Sequence, residues 1–341
     1  MKHIFVIGSH TPYLTSLGVI EKNKLDKKDI VYILGRNYKC FKTIDGISSY
    51  DLSDVYYIYL KNNTRKKIID SVERIDRFVA DEIGEPYTLY IPHLAFYFFQ
   101  VLATNTLCQS IKFIQEGIAD SCVPENRFRL PTLKQIYVNS FIMNFGRTWE
   151  SNGWNDYRCN VRHPSETFAN NERLFSEMKC KHTVVIWPKL ELPVEYKPNG
   201  TYFVFESLVE QKNIEPEIFF SATEKLIKKF AGEVNYVKFH PYQAKEHIDV
   251  IKKLFFRHGF GYEVIPPDIP FEMVLASQSK MKVCGFTTSL IFFAALMPQH
   301  EAHICAPALY GSKRFLNRYW KEYSGYISRC YCNTFTYENI D

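Results

Sequence analysis

The chain reads as an α/β protein built from two successive Rossmann-like units with parallel sheets, and three observations say so. Short apolar runs alternate with stretches whose apolar residues recur at helical spacing. The runs stop at Gly, Pro or a polar group, the punctuation of strands that end at the carboxyl edge of a sheet. The alternation lapses once, over residues 147–198, and then restarts, which is how a domain boundary shows itself in a sequence.

Residues 3–7 form the first apolar run, closed by Gly8 and Ser9. Thr11 can cap the helix that follows, with Pro12 at its first position and Leu14, Leu17 and Ile20 behind. Residues 30–34 are a second strand ending at Gly35-Arg36, and residues 56–60 a third. Ile69, Val72, Ile75 and Val79 give residues 66–83 a helical face. A fourth strand, 87–91, is stopped by Pro92; a buried helix follows at 94–102, then a fifth strand, 110–114, running into Gln115-Glu116-Gly117. Leu133, Ile136, Tyr137, Phe141 and Phe145 mark another helix face, after which the chain turns polar and only residues 183–187 keep a pattern. The second unit alternates strands at 201–205, 235–239, 262–265, 281–284 and 303–305 with helices at 217–230, 244–256, 271–276 and 289–296. The expected domains are therefore 1–190, with a linker from about 170, then 191–310, then a tail, 311–341. Two facing units of this kind describe the GT-B plan of many glycosyltransferases, with the basic, aromatic tail (Lys313, Arg314, Phe315, Arg318, Tyr319, Trp320, Lys321) as a helix packing back on the first.

Composition narrows the function classes. The chain has 341 residues, 46% hydrophobic and 23% charged, so it is a folded protein rather than a disordered one. Its formal charge of +5 suits an anionic ligand, but Lys and Arg are interleaved with acids, and a nucleic-acid-binding module is disfavoured. The nine cysteines include no CxxC pair and no His partners at zinc spacing, and they read as reduced cytoplasmic thiols. No apolar run reaches the roughly 18 residues that a spanning helix needs. The tail is a candidate for peripheral association with anionic lipid at the inner face of a membrane.

Two segments carry the strongest chemical signal. Residues 235–239 run straight into His240-Pro241, which places an imidazole at the carboxyl edge of a sheet, where open α/β sheets bind ligands. Val283-Cys284-Gly285-Phe286 leads into Thr287-Thr288-Ser289 and an apolar helix, a strand, turn and helix start whose N–H groups and hydroxyls can surround a phosphate. Glu116 follows a strand of the first unit and can serve as a general base, with Asp120 as its nearby substitute and Gly117, Ser9 and Thr11 in the surrounding cleft. Glu272, at the start of a short helix, can take both hydroxyls of a ribose.

In this order, Gln115-Glu116-Gly117, His240-Pro241 and Thr288-Ser289 resemble the motif set of the bacterial sialyltransferases, including lipooligosaccharide sialyltransferases and capsular polysialyltransferases. Thr11-Pro12-Tyr13-Leu14 resembles their opening, and Phe271-Glu272 the segment that holds the cytidine ribose. Gln115 departs from the pattern, which has an acid there, and leaves Glu116 as the one carboxylate of the motif. The resemblance implies an inverting, metal-independent transfer from CMP-sialic acid (CMP-Neu5Ac) to a glycan acceptor of a bacterial surface: lipooligosaccharide, O-antigen or capsule. Glu116 would take the acceptor proton, His240 would donate to the departing phosphate, and Thr287, Thr288 and Ser289 would hold it. No cofactor is implied beyond the sugar nucleotide, and the chain has no Asp-x-Asp motif for a metal. The alternatives are a transferase for CMP-Kdo, CMP-legionaminic acid or a nucleoside-diphosphate sugar and, from another class, a single-stranded nucleic-acid-binding module.

Overall fold

The computed structural model describes residues 1–40, 45–56, 65–94, 96–117, 164–175, 178, 180–197, 199–321, 323–325, 327 and 335–340. The chain divides into two compact units, Met1–Trp187 and Pro188–Asp341.

The first unit holds a seven-stranded sheet. Its elements are β1 (Lys2–Ile7), α1 (His10–Asn23), β2 (Ile30–Leu34), β3 (Ser48–Asp51), α2 (Ser53–Tyr56), α3 (Arg65–Phe78), β4 (Tyr87–Ile91), α4 (Tyr97–Ala103), β5 (Cys108–Ile114), β6 (Glu166–Ala169) and β7 (Lys181–Val184). Strand order is β3-β2-β1-β4-β5-β6-β7, and every pairing is parallel. The order reverses between β1 and β4, so the crevice of this sheet opens beyond their carboxyl ends.

The second unit repeats the plan with β8 (Thr201–Val204), α5 (Pro216–Phe230), β9 (Asn235–Lys238), α6 (Lys245–Arg257), β10 (Glu263–Val264), α7 (Phe271–Ser277), β11 (Lys282–Gly285), α8 (Ser289–Leu296) and β12 (Glu301–Ile304). Its parallel sheet runs β10-β9-β8-β11-β12, with the reversal between β8 and β11.

The strands β4, β8 and β9 are buried along their whole length, and β2 along all but its last residue, as parallel strands covered on both faces must be. Much of that covering is aromatic. Phe5 stacks on Tyr90 at 4.1 Å in the first sheet, and Tyr202 on Tyr236 at 4.8 Å in the second. Helix α1 packs so closely on the end of the first unit that a Cβ at Gly18 would lie 2.6 Å from the Ile186 carbonyl. Beside it the Trp187 indole N–H donates to Thr15 Oγ1 at 3.2 Å.

Several expectations are corrected. The third strand is Ser48–Asp51; of residues 56–60, read as a strand, Tyr56 ends a helical turn, Ser53–Tyr56, and residues 57–60 lie outside the described residues. Ser9, extended at φ −161°, precedes α1 as its cap residue, so Thr11 is the second residue of the helix and is buried. The strands β6 and β7 fall in the stretch read as polar linker. Their polarity is neutralised locally: Glu166 accepts from Lys112 at 2.9 Å, from Thr183 at 2.7 Å, and pairs with Lys181 at 2.7 Å. Burial pushes that carboxyl up, yet these three neighbours outweigh it and hold the pKa at about 2. The helix expected around residues 133–145 lies outside the described residues. The described part of the tail belongs to the second compact unit and is tied to it by contacts of its own. Tyr337 bridges Ile304, Lys229 Nζ donates to the Asn339 carbonyl at 2.9 Å, and Phe335 meets Phe292. Among the described residues, no helix is long and apolar enough to cross a membrane.

Candidate functional site at the sheet edges

The register of the second sheet sets three side chains side by side. Val204 pairs with Lys238 on one flank and with Gly285 on the other. Two residues further on, Glu206, His240 and Thr287 follow the carboxyl ends of three adjacent strands. Glu206 and Thr287 thus flank the point where strand order reverses, where a ligand crevice is expected.

Glu206 is the residue missed by sequence reading. Its Oε1 accepts both the N–H of Thr287, at 2.7 Å, and its hydroxyl, at 2.8 Å. Its Oε2 is buried with no hydrogen-bond partner among the described residues. Burial pushes the carboxyl up to about 7 against the pull of the Thr287 bonds. Tyr319, from the tail, hydrogen-bonds to Thr287 and is itself pushed up to about 12, chiefly by burial. Both Thr287 donors expected to grip a phosphate are therefore engaged with a carboxylate of the chain. Thr288 caps α8, its Oγ1 accepting from the Leu290 N–H at 3.4 Å, and Ser289 opens the helix. The signal for Glu206 was present: it is the first charged residue beyond the unit's first strand.

His240 is half-buried, and its ring state is fixed by the backbone. The Tyr242 N–H donates to Nδ1 at 3.1 Å, so Nδ1 carries a lone pair and Nε2 carries the hydrogen. Burial lowers the imidazole pKa, with Glu210 opposing. Neutral His240 thus offers one N–H donor at the sheet edge. Pro241 and Tyr242 are exposed beside it. On the same strand Lys238 turns to the neighbouring loop, donating to the carbonyls of Pro266 and Ile269 at 2.7 Å each. Burial brings its pKa down to about 8, with Glu272 and Asp268 opposing. Glu272 sits in the first turn of α7, its carboxyl raised by burial and only partly lowered by Lys238.

The first unit places Glu116 two residues past β5, nearly buried, with Arg36 Nη1 2.7 Å from Oε1 and His93 Nε2 3.3 Å from Oε2. Arg36 follows β2 and His93 follows β4, so three strand ends of one sheet meet. Arg36 adopts φ +60°, a left-handed backbone that costs a non-glycine residue roughly 1 kcal/mol. Burial pushes the Glu116 carboxyl up, but His93 and Arg36 outweigh it and hold the pKa below the ordinary value. His93 is wholly buried against Phe96 and Phe99, and burial lowers its pKa despite Glu116. Gly8 borders this cluster: a Cβ there would stand 3.0 Å from the Arg36 side chain. Gln115 is buried and accepts the Asn170 N–H at 2.9 Å, which gives the departed acid position a structural task. Gly117 ends the described segment, and Asp120 lies outside the described residues. No cluster of three or more potential metal ligands occurs among the described residues. A surface depression of about 240 Å³, lined by Glu217, Ser221, Lys225 and Ala308, lies on α5 away from both groups.

Two parallel sheets in succession, each with a central reversal of strand order, make the chain a two-unit Rossmann-like α/β protein. No protein-family model matches it, and no curated protein sequence does. Solved structures similar to it include S. aureus MnaA with UDP, at 12% identity and TM-score 0.44 over 85% of this chain and 75% of that one. Anabaena HepE in complex with UDP and glucose matches at 9% identity and TM-score 0.43, over 100% and 96%. The UDP-GlcNAc 2-epimerase from Methanocaldococcus jannaschii matches at 11% and 0.44, over 87% and 81%.

Proposed function

We propose that the chain is a glycosyltransferase that moves a sugar from a nucleotide donor, and specifically sialic acid from CMP-Neu5Ac, with inversion, to a hydroxyl of a bacterial surface glycan. The observation that carries this reading is His240, whose Nδ1 is held by the Tyr242 amide so that Nε2 keeps the hydrogen, on the same sheet edge as Thr288-Ser289 at the start of α8. A neutral N–H donor and a helix N-terminus together stabilise charge that develops on a departing phosphate. Glu272 in the first turn of α7 is the residue for the ribose, positioned through the loop that Lys238 ties down.

Glu116 is the base in this reading. It is ionised and therefore able to accept a proton, but Arg36 and His93 make it a weak base until the acceptor displaces part of that pairing. The donor is metal-independent, and peripheral attachment to anionic lipid through the basic tail belongs to the same proposal. The test is hydrolysis of, and transfer from, CMP-Neu5Ac by the wild type and by His240→Ala, together with CMP binding. Activity lost in the variant supports the reading. A wild type that neither turns over CMP-Neu5Ac nor binds CMP overturns it.

A further inference from the structure

Glu206 has no place in the mechanism above, yet it occupies the point in the second sheet where a ligand is expected. One carboxyl oxygen is fixed by two hydrogen bonds from Thr287. The other is buried with no partner among the described residues, although the side chain as a whole is nine-tenths buried. A buried carboxyl oxygen left without a partner is costly unless something completes it. Ionised, that oxygen would repel a phosphate brought to the start of α8; protonated, it becomes an O–H donor in need of an acceptor.

We infer that Glu206 is a ligand-binding residue that works as the neutral acid, giving its Oε2–H to an anionic oxygen of the nucleotide, so that binding takes one proton from solvent. Thr287 sets the orientation: because its N–H and hydroxyl both point to Oε1, the proton is left to Oε2. Tyr319, from the tail, hydrogen-bonds to Thr287 and interacts electrostatically with Glu206. The titratable and charged neighbours are few. Tyr319 faces the pair from the tail, and His240 stands on the next strand end with Glu210 behind it. An incoming phosphate raises the proton affinity of Glu206 further, which is the linkage that couples binding to uptake. This inference rests on the donor-site reading of the second unit.

The experiment is calorimetric titration of CMP into the full chain at about pH 7.5, in two buffers of different ionisation enthalpy, with cytidine as the ligand lacking phosphate. Uptake approaching about one proton per CMP is expected, with affinity falling about ten-fold for each pH unit above about 7. Glu206→Gln, whose amide keeps a donor, abolishes the uptake and flattens the pH dependence. Cytidine binds without it. CMP binding with no proton uptake in the wild type overturns this inference alone, as does uptake that is unchanged in Glu206→Gln. Failure of CMP to bind at all removes the donor-site reading and this inference together. If Glu206→Gln does not fold, the wild-type uptake with CMP and its absence with cytidine still decide the matter.

Discussion

The two units place a carboxylate at the same kind of position, just past a central strand of a parallel sheet, and give it opposite character. In the first, Glu116 meets a guanidinium and an imidazole and stays ionised, although it is buried. In the second, Glu206 meets hydroxyls and an amide, and burial wins, pushing it up to about 7. The fold supplies the location; the residues ending the neighbouring strands decide the charge. Arg36 and His93 do so in one unit; in the other, burial prevails over the pull of Thr287. Pairs of acids whose environments drive their proton affinities apart are how one chain presents an acceptor and a donor of protons at one pH.

The largest effect expected from breaking this contrast is on turnover. Glu116→Gln removes the ionised acid, and transfer from CMP-Neu5Ac should fall by about 10²–10⁴-fold, the usual worth of an acid–base group. Steady-state kinetics on the purified chain checks it, and a loss of less than about ten-fold would take the base role away from Glu116.

A smaller but cleaner effect is on stability as a function of pH. The Glu206 carboxyl lies above its unfolded value of 4.5, so the folded chain holds a proton that the unfolded chain has released. Stability from this group is present below that value and is lost as pH rises to about 7. Glu206→Gln has no such loss, and its advantage over the wild type should grow by about 3 kcal/mol between acid and pH 8. Urea unfolding at the two pH values measures it.

Glu116 should behave with the opposite sign. Its carboxyl is depressed, so it stabilises the fold above the unfolded value, and that contribution disappears as pH falls through the folded value. Glu116→Gln should cost about 2 kcal/mol at neutral pH, less than a fully buried pair because Arg36 is partly exposed, with the deficit shrinking in acid. The smallest expected effect is Gly8→Ala. Its Cβ meets the flexible Arg36 side chain and the Tyr56 hydroxyl, and the change should cost about 1 kcal/mol or less while loosening the hold on Glu116. A shift of the acidic limb of the pH–rate profile toward higher pH would show that loosening.

Much of the fold was legible because parallel strands buried on both faces are written as apolar runs with clear stops: residues 30–34, 87–91 and 235–238 all fall where the pattern puts them. What escaped was stabilised by partners distant in sequence. Glu166-Thr167-Phe168-Ala169 looks too polar for a strand until Lys112 and Lys181 neutralise its acid. The strand at Ser48–Asp51 is a largely exposed edge and carries no apolar run to read. The site divides in the same way. His240 and the Thr288 cap were readable from local order, since each depends on its own strand or helix end. The engagement of Thr287 by Glu206, and of Glu116 by Arg36 and His93, depends on sheet register. No local pattern encodes which strand ends become neighbours.

The most direct test of the donor site is the ³¹P signal of CMP as the chain is titrated into it, compared with a variant carrying His240→Ala, Thr288→Ala and Ser289→Ala. The account predicts a saturable shift with the wild type that is lost in the variant, because the phosphate sits against that imidazole and that helix start. An unchanged phosphate signal with the wild type at millimolar CMP would contradict it.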